Sequence, residues 1–223
     1  MKRPTYVTDK ALKQFIKSAL EEDIQSGDHS TLSTIPADLV QSAKLLVKED
    51  CILAGVELAE IIFKTFDKNL KIEVFIKDGE NAKVGDIAFI VTGKAQSILS
   101  TERLVLNCMQ RMSGIATLTH DWDSRLIGTK TKLLDTRKTT PNFRICEKWA
   151  VSIGGGTNHR YGLYDMIMLK DNHIDYNGSI TNAVKMTQQY LKKNKLKLKV
   201  EVETRNLTEV EEAAKLAGKG IDR

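Results

Sequence analysis

Three times in the second half of the chain, a short apolar run hands over to polar and charged residues at its C-terminal end. Residues 131–134 lead into Asp135-Thr136-Arg137-Lys138, residues 166–169 into Lys170-Asp171-Asn172-His173, and residues 199–202 into Glu203. Helical patterns lie between these runs. One is predicted over 142–151. A second carries Ile180, Ala183, Val184 and Leu191. A third opens on an Asn206/Glu209 cap with Leu207, Val210, Ala213 and Ala214 inward. Strand–helix alternation of this kind specifies parallel βαβ units, and such sheets hold their ligands at the carboxyl ends of the strands. Gly218-Lys219-Gly220 ends the last helix, and residues 221–223 read as the approach to a further strand. Too few strands are present to close a barrel, so the expectation is a truncated chain.

The first half has a different rhythm. Thr8 is placed to cap a helix with Leu12, Phe15, Ile16, Ala19 and Leu20 on one face, which a loop at 27–31 ends. Strands are predicted at 43–47, 72–76 and 87–92, a helix at 56–66, and a turn at Asp78-Gly79. From Ser97 a long helix carries Ile98, Val105, Met109 and Met112 at core spacing and runs beyond Thr119. A domain boundary is expected inside it, near Gly114.

With 223 residues, 41% apolar and 28% charged, the chain is long enough to bury a substantial core, and its balance excludes collagen, a disordered chain and a disulfide scaffold. Cys51, Cys108 and Cys146 show no pairing or metal spacing and suit reduced thiols in the cytoplasm. No apolar leader or membrane segment is expected: the run around 51–66 is broken by Glu57, Glu60 and Lys64. The net charge of +5 is spread along the chain, and aromatics are only 6% and not interleaved with lysines, so a nucleic-acid partner is not expected.

The cations are densest between 135 and 173, where Arg137, Lys138, Arg144, Lys148, His159, Arg160, Lys170 and His173 surround Gly154-Gly155-Gly156. Gathered at the ligand end of one sheet, such groups repel one another unless an anion neutralises them. Arginine forks and lysine point charges suit carboxylates and phosphates, and glycines admit backbone N–H groups to an anion. No zinc spacing, GxGxxG or Walker A sequence occurs.

At these residues the chain resembles quinolinate phosphoribosyltransferase. The matching stretches are Glu102-Arg103, Gln110-Arg-Met-Ser-Gly-Ile-Ala-Thr117, Leu134-Asp-Thr-Arg-Lys-Thr-Thr-Pro141, Glu147-Lys148, Gly154-Gly-Gly-Thr-Asn-His-Arg160, Leu169-Lys-Asp-Asn-His-Ile174 and Val200-Glu-Val-Glu203. Asn142-Phe143 and Trp149 depart from the pattern without touching the chemistry. The resemblance implies an α/β protein: an N-terminal α/β sandwich domain over 1–114, then a parallel (β/α) barrel over 115–223, incomplete in this chain. It implies transfer of phosphoribosyl from phosphoribosyl pyrophosphate to quinolinate with decarboxylation, giving nicotinate mononucleotide, pyrophosphate and carbon dioxide, with Mg²⁺ bound mainly through the substrate.

By the same resemblance Lys138, Lys170 and Glu203 are catalytic, with Glu203 facing the ribose and its metal. Arg103, Thr136, Arg137, Lys138, His159, Arg160, Lys170 and Glu203 bind substrate. Arg103 reaches the neighbouring subunit's site in a homodimer or larger assembly. The family continues past the position of Arg223 into a Leu-Asp-Asn strand end and a phosphate loop, so activity of this chain alone is in question. The alternatives are a molybdenum-transport-associated paralogue of the same fold and an inactive fragment.

Overall fold

The computed structural model describes residues 2–223. The chain divides into two compact units, one ending at His159 and the other spanning Arg160–Arg223. Each has its own apolar core.

The first unit opens with α1 (Asp9–Ile24), whose N-terminus is capped as expected by the Thr8 hydroxyl accepting from the Ala11 N–H. Leu12 and Ile16 are its buried residues. The loop expected at 27–31 instead forms a short helix, α2 (His29–Thr34), because the Asp28 carboxylate accepts from the Thr31 N–H. Then follow β1 (Val40–Leu46), β2 (Cys51–Ile52), α3 (Val56–Phe66), β3 (Lys71–Val74), β4 (Asn81–Ala82), β5 (Ile87–Lys94), α4 (Ala95–Ser124) and α5 (Arg144–Ile153). The predicted bounds of α3 match the structure. Its entry needs Gly55 at φ +94°, where a side chain would be strained and crowded by Met109 3.2 Å away. The Asp78 carboxylate accepts from Val56 N–H at 2.9 Å and Glu57 N–H at 3.0 Å, supplying the cap that glycine lacks.

β1, β5 and β3 form an antiparallel sheet in that order, with Val40 opposite Lys94 and Lys71 opposite Thr92. α4 is 30 residues long and buries Ile98, Val105, Met109 and Met112, as their spacing predicts. Gly114 lies within it. Ser113 and Thr117 on α4 bond to the backbone of β2 and the residues just after it: Thr117 Oγ1 accepts from Ile52 N, and Ser113 Oγ accepts from Ala54 N and donates to Ala54 O.

The strand expected at 131–134 shrinks to one parallel bridge between Leu134 and Thr157. Its neighbour, residues 156–158, has only just left the turn that closes α5, so little extended backbone is available to pair.

The second unit contains β6 (Ile167–Leu169), α6 (Asp171–Asn177), α7 (Ile180–Lys193), β7 (Val200–Val202) and α8 (Leu207–Ala214). β6 and β7 are parallel, with Leu169 opposite Val202, in line with the βαβ reading. Asp222 and Arg223 donate their N–H groups to Val200 O, and Arg223 O accepts from Val202 N, so the last residues lie along β7. α6 was not expected. Its first turn forms because the His173 ring accepts from the Lys170 N–H at 2.9 Å. α8 corrects another expectation: Leu207 and Val210 face outward, and no residue of this two-turn helix is buried. Among the described residues, no helix is long and apolar enough to cross a membrane.

Candidate active site

The segment after the first bridge strand, residues 135–140, is pinned from below by two consecutive residues of α5. Asp135 is almost fully buried and ion-paired with Lys148, whose side chain is 1% exposed. The same carboxylate accepts from the His159 N–H at 2.8 Å and from Asn158 Nδ2 at 2.7 Å. Asn158 Nδ2 also reaches Lys148 O at 2.7 Å, and Asn158 Oδ1 accepts from the Tyr6 hydroxyl at 2.8 Å. A buried pair persists only when its remaining hydrogen-bonding capacity is filled in this way.

At the other end of the segment, Glu147 accepts from Thr140 N at 3.0 Å and Thr140 Oγ1 at 2.9 Å. It also takes Arg111 Nε at 3.1 Å and Nη2 at 2.9 Å from α4. Burial opposes charge on Glu147, but the Thr140 N–H, the Arg111 guanidinium and the Thr140 hydroxyl together hold its carboxyl below the ordinary range. A carboxyl whose folded pKa is depressed stabilises the fold above its unfolded pKa and loses that contribution as pH falls through the folded value. Thermal melts of the protein and of Glu147→Gln should therefore differ at neutral pH and converge on acidification below the ordinary carboxylate range.

The middle of the segment carries the expected ligands. Thr136 Oγ1 accepts from Lys138 N at 3.0 Å, and Arg137 O accepts from Thr139 N at 2.9 Å, which sets a tight local turn. Lys138 is exposed. Arg137 is half-buried, and its Nε is fully buried without a hydrogen-bond partner. Thr136, Arg137, Lys138 and His159 thus share one frame around Asp135. Arg103 stands apart on α4, exposed, with Glu102 3.4 Å away.

In the second unit the parallel register sets Lys170 and Glu203 side by side at the strand ends, Nζ to Oε2 3.1 Å, both partly exposed. Arg160 is buried, and one guanidinium nitrogen lies 3.3 Å from Met166 O, just before β6. Asp165 holds the turn between them through Tyr161 N and Gly162 N.

Some of the cations grouped together by sequence have other work. Lys148 is neutralised internally by Asp135, and Arg144 Nε donates to Thr139 Oγ1 at 2.9 Å. Asp135, Asn158 and Glu147 supply the frame, and only the motif around each hinted at it. The glycine triplet is also not an anion cradle. Its three N–H groups donate to Ala150, Ser152 and Val151 carbonyls as α5 ends, and a Cβ on Gly154 would meet Ala116 O at 2.4 Å. The glycines let α5 close against α4.

Comparison with known proteins gives the family. Family models described as quinolinate phosphoribosyl transferase, N-terminal domain and C-terminal domain, match residues 28–113 and 115–222. The chain belongs to the quinolinate phosphoribosyltransferase family. It is 49% identical over 210 residues to "Quinolinate phosphoribosyltransferase [decarboxylating] 2b, mitochondrial" of Nicotiana tabacum, covering 94% of this chain and 58% of that protein. It is 49% identical over 218 residues to "Nicotinate-nucleotide pyrophosphorylase [carboxylating], chloroplastic" of Arabidopsis thaliana, covering 96% of this chain and 60% of the relative. The crystal structure of NadC from Streptococcus pyogenes superposes with a TM-score of 0.88 at 38% identity, covering 98% of this chain and 75% of that one. The chain therefore spans about three-fifths of the length of the plant family members it matches.

Proposed function

We propose that this protein transfers the phosphoribosyl group of phosphoribosyl pyrophosphate to quinolinate and releases carbon dioxide, a step of NAD biosynthesis. The observation that carries this reading is the 135–140 segment, which bears Thr136, Arg137 and Lys138 and is fixed at both ends by α5, at Asp135 by Lys148 and at Thr140 by Glu147. The relatives' names favour the quinolinate enzyme over the molybdenum-transport alternative.

In this reading Arg137, His159, Arg160 and Lys170 surround the two carboxylates of quinolinate, Thr136 and Lys138 sit in the same binding loop, and Arg103 joins them from the neighbouring subunit of a homodimer or larger assembly. Lys138 and Lys170 neutralise phosphate oxygens, and Glu203 faces the ribose. The ring nitrogen forms a bond to the ribose C1 as the C1–oxygen bond to pyrophosphate breaks and its electron pair leaves with pyrophosphate. The transition state carries positive charge at C1, which the Glu203 carboxylate stabilises. The quaternised ring then accepts the electron pair of the breaking C2–carboxylate bond. Carbon dioxide departs and C2 takes a proton from water. Positioning and electrostatics supply the rate, without a covalent enzyme intermediate.

Among the described residues no group of three His, Cys, Asp or Glu could hold a metal ion. A donor set of one carboxylate, already paired with Lys170, suits Mg²⁺ carried on the diphosphate oxygens with Glu203 nearby. The fold class completes the reading: an α/β sandwich domain over 1–114 and a (β/α) barrel over 115–223, incomplete in this chain, to which the parallel pair β6–β7 belongs. A cytoplasmic site, expected from the three unpaired cysteines, belongs to the same proposal.

Incubation of the purified protein with quinolinate, phosphoribosyl pyrophosphate and Mg²⁺ should yield nicotinate mononucleotide and carbon dioxide in equal amounts. Absence of both products would overturn the assignment.

A further inference from the structure

Neighbouring residues on a helix diverge by about 100°, yet Glu147 and Lys148 of α5 both turn to the same short segment. Lys148 holds Asp135 at its start, and Glu147 holds Thr140 at its end. Neither is placed for contact with substrate: the Lys148 side chain is 1% exposed and that of Glu147 7%. Four residues lie between the two anchors, and Arg137 is among them. Arg111 on α4 fixes Glu147 in turn through two guanidinium nitrogens. The orphan Nε of Arg137 shows that the protein itself offers this guanidinium no acceptor there, so its aim depends on the backbone that carries it.

We propose that Glu147 is a positioning residue for quinolinate: anchored by Arg111, it pins Thr140 so that the 135–140 segment presents Arg137 to a substrate carboxylate. This rests on the functional reading above. The loss of one anchor frees one end of the segment while Asp135 still holds the other. Quinolinate binding therefore weakens most; Lys138, on the same segment, loses some of its hold on phosphate, while Lys170 and Glu203 in the second unit are untouched.

The test is steady-state kinetics of Glu147→Gln, Thr140→Val and Thr140→Ser in the full chain, at a temperature where all three are folded by circular dichroism. Gln loses the ion pair with Arg111, Val loses the hydroxyl bond to Glu147, and Ser retains it. The expected result is a KM for quinolinate raised about tenfold in Glu147→Gln and about three- to tenfold in Thr140→Val, as for loss of one or two hydrogen bonds. The KM for phosphoribosyl pyrophosphate rises less than that for quinolinate in each variant, and Thr140→Ser behaves as the parent.

A merely structural role lowers the active fraction, which reduces kcat and leaves both KM values unchanged. That pattern in Thr140→Val overturns the proposal even if Glu147→Gln does not fold. Equal rises in both KM values overturn it as well. An inactive parent protein is a different failure: it removes the functional reading, and this inference falls with it.

Discussion

Arg137→Ala and Lys170→Ala are each expected to lower turnover of quinolinate by about 10²–10³-fold, the cost of removing one well-aimed donor from a charge-stabilising site. Neither should lower the melting temperature. The Arg137 Nε is buried without an acceptor, so its removal takes away an unsatisfied donor rather than a stabilising bond. Lys170 pairs with Glu203 where both are partly exposed, and such a pair adds little to stability. Loss of rate with an unchanged melt is the signature of residues kept for a ligand. Near-parental kcat/KM in both variants would remove them from the site, and a large drop in melting temperature would assign them to the fold instead.

Lys148→Met should do the opposite. It preserves volume and removes only charge, leaving Asp135 buried without its partner. Breaking a buried pair in this way costs about 3–5 kcal/mol, and at this chain length each kcal/mol moves the melting temperature by about 2–4 °C. A fall of about 10 °C in a thermal melt is therefore expected, and a fall below about 2 °C would mean that the pair is solvated in solution. His159 and Asn158 share the Asp135 carboxylate, so part of the loss reflects their release.

The contrast between the ligand cations and Lys148 marks where sequence and structure diverge. Helix α3 and the Thr8 cap were legible because periodicity and capping are local. The strand–helix alternation predicted the parallel register that puts Lys170 and Glu203 at one level, while their ion pair is visible only in the structure. Lys148 was grouped with the ligand cations because its counter-charge, Asp135, lies 13 residues away across a turn and has no pattern of its own. The glycine triplet differs from its expected role as an anion cradle for a similar reason: its need for small residues is set by Ala116 and Thr119 on α4, far off in the chain. Leu207 and Val210 have helical spacing but face solvent, since spacing identifies a face and not what covers it. α2 and α6 are each one or two turns held by a single side-chain acceptor, below the length at which periodicity is visible.

The hydroxyls that α4 lends to β2 have a consequence for self-association. A two-residue strand normally leaves its outer backbone groups free, and such an edge recruits strands from other molecules. Here Ser113 occupies both backbone groups of Ala54, and Thr117 takes the N–H of Ile52. An incoming chain therefore finds no vacant donor at Ile52 or Ala54, which weakens this border as a template for strand addition.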